Sequence, residues 1–204
     1  MSKEIILLSD WVNGEFVAGL DEVGRGCGAG PVVTAAVIMP KGFKSPLIRD
    51  SKKLSEKQRN EAYKIITDNA IAISCHASSI NDINSLGING ATFKTMHKCL
   101  DELTQVPDKI LVDGDSWEDY NGTKFDNNLV TLIPKGDDTY TCIAAAAIIA
   151  KVRRDEYMTK LHEKFPIYDW ASNKGYLTPT HIEALKKYGI NKYHRTLFVK
   201  NFVK

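Results

Sequence analysis

The sequence predicts an α/β fold: a mixed five-stranded sheet flanked by helices, forming a single domain over residues 1–204. From about residue 165 to 204 that domain continues as a helical C-terminal extension. Three observations carry this. Five short apolar, β-branched runs are bounded by Gly, Pro or Asp. Helical spacing appears between the later runs. Only a Gly-rich loop separates the first two runs, too short for a crossover helix, so that pair reads as antiparallel.

In chain order, residues 16–21 form the first strand, followed by a Gly-rich loop over 24–30 that Pro31 closes. Residues 32–39 form a buried second strand, ended by Pro40-Lys41-Gly42. Ser55 is a helix N-cap and Gln58 completes a capping box, which predicts a helix over 56–69. Residues 71–78 alternate well enough for a third strand. Phe93, Met96, Leu100 and Leu103 repeat at helical spacing within 91–103. Residues 109–113 make the fourth strand and 129–133 the fifth, closed by Pro134. A long helix, Ala-rich at 144–147, is expected over 139–165. A last amphipathic helix should span 179–188 and stop at Gly189.

Apolar residues make up 43% of the chain and charged residues 25%, which excludes a disordered chain, a collagen and a coiled coil. The longest apolar run, 142–150, is half of what a spanning helix needs, so no membrane segment is expected. Residues 5–8 are too short an apolar run for a secretory signal. Four cysteines without CxxC spacing read as reduced thiols of a cytoplasmic protein. No HExxH and no Cys/His cluster supports a zinc site.

The net charge of +2 hides an asymmetry. Residues 151–204 carry 12 Lys/Arg against 5 Asp/Glu, while residues 1–150 carry 15 against 20. A basic quarter on an acidic body suits a polyanion held beside an acidic site. A solvated Lys-rich face fits the same counts.

The acids stand at informative places. Asp21 and Glu22 end one apolar strand and Asp113 ends another, and strand ends are where open α/β sheets place ligands. Neighbours on a regular strand point to opposite faces, so Asp21 and Glu22 share a site only if the strand ends or twists there. On the long helix Ile148, Val152 and Asp155 are spaced i, i+4, i+7, which puts Asp155 on the stripe expected to face the sheet. A carboxylate there needs a partner, a proton or a metal. An ion pair with Lys151 is the plainer alternative. Converging carboxylates suit magnesium or manganese, and paired ions of this kind serve in-line displacement at phosphorus. Gly24-Arg25-Gly26-Cys27-Gly28-Ala29 satisfies a loose dinucleotide-binding fingerprint, but a strand rather than a helix should follow Pro31, which argues against a nucleotide-dependent oxidoreductase.

Asp21-Glu22-Val23-Gly24-Arg25-Gly26 with Ala29-Gly30-Pro31-Val32 resembles the opening signature of the ribonuclease HII family. Asp50-Ser51-Lys52-Lys53-Leu54-Ser55, Leu111-Val112-Asp113-Gly114, Ile148 to Asp155, Lys174-Gly175-Tyr176 with His181, and His194-Arg195 resemble its later blocks in order. The resemblance implies an RNase H-like fold. It implies two-metal hydrolysis, with Mn2+ or Mg2+, of the RNA strand in RNA–DNA hybrids and at single ribonucleotides embedded in duplex DNA. The products would carry 5′-phosphate and 3′-hydroxyl ends. Carried across, Asp21, Glu22, Asp113 and Asp155 would be the catalytic, metal-binding carboxylates. Gly24, Arg25 and Gly26 would sense the 2′-hydroxyl, Tyr176 would stack on the sugar at the junction, and Lys52 and Lys174 would contact phosphates. A monomer is expected.

Departures from the family pattern are Cys27-Gly28, Asp115, Cys142, Ala147 and Leu177, none of which removes a carboxylate. A ribonuclease HIII-like nuclease is the nearest alternative, but only about 15 residues precede the first strand, too few for its extra N-terminal domain. A non-catalytic hybrid-binding module would be expected to lack a carboxylate. Residues 196–202 faintly resemble a sliding-clamp tail, against the simpler reading of an apolar tail docked on its own domain.

Overall fold

The computed structural model describes residues 8–11 and 14–203. Apart from Leu8, the apolar run 5–8 lies outside the described residues. Five strands form one sheet: β1 (Val17–Val23), β2 (Val33–Ile38), β3 (Ala72–Ala77), β4 (Lys109–Asp113) and β5 (Val130–Ile133), in the order β3-β2-β1-β4-β5. β1 pairs antiparallel with β2, and β2 with β3, whereas β4 runs parallel to both β1 and β5. The sheet is therefore mixed, as the spacing of the apolar runs predicts. The strand after Pro31 is β2, so no helix follows the Gly-rich loop.

The helices are α1 (Glu56–Asn69), α2 (Ile80–Glu102), α3 (Thr141–Lys164), α4 (Trp170–Asn173), α5 (Pro179–Tyr188) and α6 (Thr196–Val199). α1 starts on the expected capping box: Ser55 Oγ accepts the Gln58 N–H while Gln58 Oε1 accepts the Ser55 N–H. α2 begins eleven residues before the predicted 91–103 and kinks at Gly87 (φ 73°). The segment before Ala91 is rich in Asn, Ser and Gly; Ile80, Ile83 and Ile88 form its apolar stripe, which Gly87 interrupts.

Both faces of the sheet are buried. Val33, Ala35 and Val37 pack against α3 and α1 through Ala144, Ala145, Ile148 and Ile66. Ala18, Leu20, Ala36, Ile38, Ile110 and Val112 pack against Phe93, Met96 and Leu100 of α2. α3 crosses β1 at Gly19, where an added Cβ would lie 2.2 Å from the Cys142 carbonyl carbon. Only a residue without a side chain lets the helix start come this close, and that brings the turn before α3 to the carboxyl ends of β1 and β4. Beyond the sheet α3 meets the C-terminal helices around Met158, Leu161, Trp170, Leu185 and Val199. No helix among the described residues is long and apolar enough to cross a membrane.

Candidate active site

β1 runs on past its acids to Val23, so Asp21 and Glu22 leave the strand on opposite faces, but both border Asp113, whose charge raises each of them, and so both reach the same end of the sheet. Asp21 shares its face with Gly19, on the α3 side. Glu22 faces α2 and lines a cleft of about 180 Å³ with Arg25, Phe93, Met96 and Asp113. The β1–β4 ladder stops at the Leu20–Val112 pair. Just past it Asp113 falls on the same face as Asp21, since Leu111, two residues earlier, packs on Cys142 and Ile143 of α3.

A third carboxylate comes from the carboxyl end of β5. After Pro134 the chain turns through Lys135 (φ 59°) into a 3-10 turn, Gly136–Asp138, that leads into α3. The Gly136 N–H donates to Asp113 Oδ1 at 2.7 Å, and Asp137 is buried. Carboxylate oxygens of Asp21, Asp113 and Asp137 lie within 4.8 Å of one another. These hard oxygen donors suit magnesium or manganese and not a soft-ligand metal.

The protonation balance fits that assignment. Burial, then Glu22, Asp113 and Asp137, push the Asp21 carboxyl well above the usual range. Burial raises Glu22 to about 7 against the opposing pull of Arg25. Asp113 is raised by burial, with the Gly136 N–H opposing and Asp137 adding. Such a set of crowded acids is relieved by a cation.

Asp155 is not among the clustered carboxylates, which corrects its expected place facing the sheet. Its Oδ1 accepts from Lys151 Nζ at 2.8 Å, the alternative the spacing left open. The stripe that starts at Ile148 still packs in the sheet core at Val152, but Asp155, one turn farther on, opens onto the α1–α3 groove. There Asp155, Arg59, Tyr63, Val152 and Lys174 line a larger cleft of about 470 Å³. Asp137 was missed because Lys135-Gly136-Asp137-Asp138 reads as a plain turn. Unlike Asp113, which is the last residue of β4, Asp137 stands four residues past the end of β5, so no strand end marks it in the sequence.

Lys52 Nζ lies 3.5 Å from Asp137 Oδ2 and is mostly exposed. Partial burial pulls its ammonium down, but Asp137, Asp50 and Asp21 outweigh this and the net shift is upward. Arg25 Nη1 is 3.6 Å from Glu22, and Nη2 donates to Asn89 Oδ1 at 2.5 Å. Gly24 and Gly26 flank it, Gly26 open to solvent with no atom near its Cβ position. Lys174 Nζ donates to Thr159, away from the clustered acids. Tyr176 is 44% exposed, and its backbone carbonyl accepts from Nδ1 of buried His181 at 2.9 Å. The tail docks on its own domain: Val199 is buried and Phe202 packs with it, while Leu197 is exposed.

The Ribonuclease HII family model matches residues 18–201. A ribonuclease HII of Bacteroides fragilis is 44% identical over 193 residues, 94% of either chain. The crystal structure of a ribonuclease H2 from Pyrococcus horikoshii superposes with a TM-score of 0.74 at 25% identity, covering 92% of this chain and 96% of that one. RNase HII in the PCNA:RNase HII complex from Archaeoglobus fulgidus gives 0.70 at 28% identity, over 88% and 93%. With a mixed sheet of this topology and acids gathered at its strand ends, the chain belongs to the ribonuclease HII family and is an RNase H-type nuclease.

Proposed function

We propose that this enzyme cuts the RNA strand of RNA–DNA hybrids and incises duplex DNA at single embedded ribonucleotides, leaving 5′-phosphate and 3′-hydroxyl ends. The observation that carries the reading is the convergence of Asp21, Asp113 and Asp137 within 4.8 Å at the strand ends, with Glu22 and Arg25 in the adjoining cleft. Asp21, Glu22, Asp113 and Asp137 would hold Mn2+ or Mg2+, and Asp137 takes the place first expected of Asp155. Bound there, such ions would make a water a better nucleophile toward the phosphate and neutralise charge on the leaving oxygen.

The chain's own groups do the rest. Lys52 brings a positive charge to the rim of the acid cluster, where a phosphate can pass. Arg25, steadied by Glu22 and Asn89, offers a guanidinium to the backbone of the cut strand. The exposed backbone at Gly26 lets a 2′-hydroxyl approach closely, and that group alone tells RNA from DNA at a given position. Tyr176 presents an open ring for stacking on the sugar 3′ to the cut, and Lys174 is a candidate phosphate contact farther along. The described cysteines are all free thiols, which fits a reducing cytoplasm. A sliding clamp, the partner of the Archaeoglobus relative, would find Leu197 as the apolar side chain on offer in the docked tail.

The test is nicking of a labelled duplex carrying one ribonucleotide, with Mn2+, with Mg2+ and with EDTA, beside an all-DNA control. Divalent-dependent incision of the first duplex alone supports the reading. Cleavage that persists in EDTA, or equal cutting of the all-DNA control, overturns it.

A further inference from the structure

The loop of residues 24–30 and the Tyr176 segment are fastened directly to each other. The Gly28 N–H donates to the Gly175 carbonyl at 2.9 Å, and the Ala29 N–H reaches the same oxygen at 3.2 Å. The approach is so close that a Cβ on Gly175 would lie 2.4 Å from the Ala29 oxygen. Arg154 pins both sides. It is fully buried, and its guanidinium donates to Pro31 O at 3.0 Å, Ala29 O at 3.2 Å and Lys174 O at 2.8 Å. Three carbonyls satisfy a charge that would otherwise be costly to bury.

Leu177 completes the fastening. It follows Tyr176 directly, is half-buried, and packs in the C-terminal cluster with Ala29 and Val199. A Cβ on Gly28 would lie 2.5 Å from Leu177 Cδ2 and 2.9 Å from its Cγ. The leucine, with Val199 Cγ1 at 3.1 Å beside it, thus occupies the volume that any larger residue at position 28 would need.

We propose that Leu177 is a positioning residue for substrate selection: by filling the space over Gly28 it holds Tyr176 in register with the 2′-hydroxyl-sensing loop. This rests on the roles given to Tyr176 and the loop under Proposed function. Selection of a lone ribonucleotide has few contacts to draw on, so it is sensitive to ångström-scale misplacement, whereas a continuous hybrid offers many registers.

The experiment uses the full chain with Leu177→Gly, Gly28→Leu and the double variant combining them. Leu177→Gly should lower cleavage at a single ribonucleotide about tenfold, and cleavage of a continuous hybrid less than about threefold. Amide exchange at Gly28 and Ala29 should speed up about tenfold or more, while the Mn2+-induced rise in melting temperature stays that of the parent. Gly28→Leu alone overfills the contact and should lose selectivity as well. The double variant moves the leucine to the other side of the same space and should recover at least about half of the parent's substrate ratio. Leu177→Gly with the parent's ratio or the parent's exchange overturns the proposal, as does a double variant no better than Gly28→Leu. A parent that fails to incise at a single ribonucleotide overturns the proposed function instead, and the exchange of Gly28 and Ala29 still reports on the contact.

Discussion

Asp113 holds the turn that carries Asp137: its Oδ1 accepts the Gly136 N–H at 2.7 Å, so one carboxylate orients the loop of the next. The bond separates two roles that a single substitution usually confounds. Asp113→Asn keeps an oxygen acceptor for Gly136 but removes the charge. It should abolish cleavage while leaving hybrid binding and melting temperature near the parent's. Asp113→Ala should also lose about 1–3 kcal/mol of stability, because it orphans a buried N–H. Urea unfolding of both variants checks this, and equal stability would mean the bond does not hold the turn.

Gly19 sets the height of α3 over β1. Gly19→Ala places a Cβ against the backbone of Cys142 and Ile143, which cannot yield as a flexible side chain would. It should cost about 3 kcal/mol or more, and the shift of the α3 start should weaken Mn2+ binding as well. Unfolding and metal titration are the measurements. A neutral substitution would remove Gly19 from the argument.

The pH dependence has a definite sign. Glu22 moves from 4.5 when unfolded to about 7 when folded, mainly through burial. Its contribution to stability is therefore complete below pH 4.5 and lost as pH rises through 7. Asp21 and Asp113 shift the same way. Without metal the protein should lose about 3 kcal/mol from Glu22 between pH 4.5 and 8, and Glu22→Gln should flatten that slope. Mn2+, which binds the deprotonated set, should stabilise more at pH 8 than at pH 5. Urea unfolding in EDTA and in Mn2+ tests both statements, and metal-free stability that rises more steeply in the parent than in Glu22→Gln contradicts them.

Tyr176 sits away from the clustered acids, with its ring exposed. Tyr176→Ala should lose far more activity on a single embedded ribonucleotide than on a continuous hybrid, and residual cleavage should keep its metal dependence. Stacking contributes about 1–3 kcal/mol, so the ratio of the two rates should change about tenfold. Equal loss on both substrates would assign Tyr176 to general binding or to the fold.

The sheet was legible because Gly and Pro punctuate its strands: Pro31, Pro40, Pro107 and Pro134 each stand beside a strand that forms. The capping box at Ser55 and the stop at Gly189 were legible for the same reason, being local chemistry. The first half of α2 was not, although Ser79 caps it and Ile80 and Ile83 begin an apolar stripe, because Gly87 interrupts that stripe and kinks the helix. Asp113 was legible as an acid at a strand end, and Asp21 as an acid next to one, two residues before β1 stops. Asp155 stands one turn beyond Val152, the last residue of its stripe in the sheet core, and periodicity does not mark that boundary. Asp137 stayed hidden in a turn-like run, because its burial comes from contacts with β4 and α3 that no local pattern encodes. The fit of Leu177 over Gly28 joins residues about 150 positions apart and is visible only in three dimensions.

The most direct test compares Asp137→Asn with Asp155→Asn on a duplex carrying one ribonucleotide, in saturating Mn2+. With Asp137 in the carboxylate site and Asp155 in a salt bridge with Lys151, Asp137→Asn should lose about 100-fold or more and bind Mn2+ more weakly. Asp155→Asn should stay within about threefold of the parent with unchanged Mn2+ affinity, as expected for a partly exposed ion pair. The reverse order, with Asp155→Asn inactive and Asp137→Asn near the parent, would contradict the site described here.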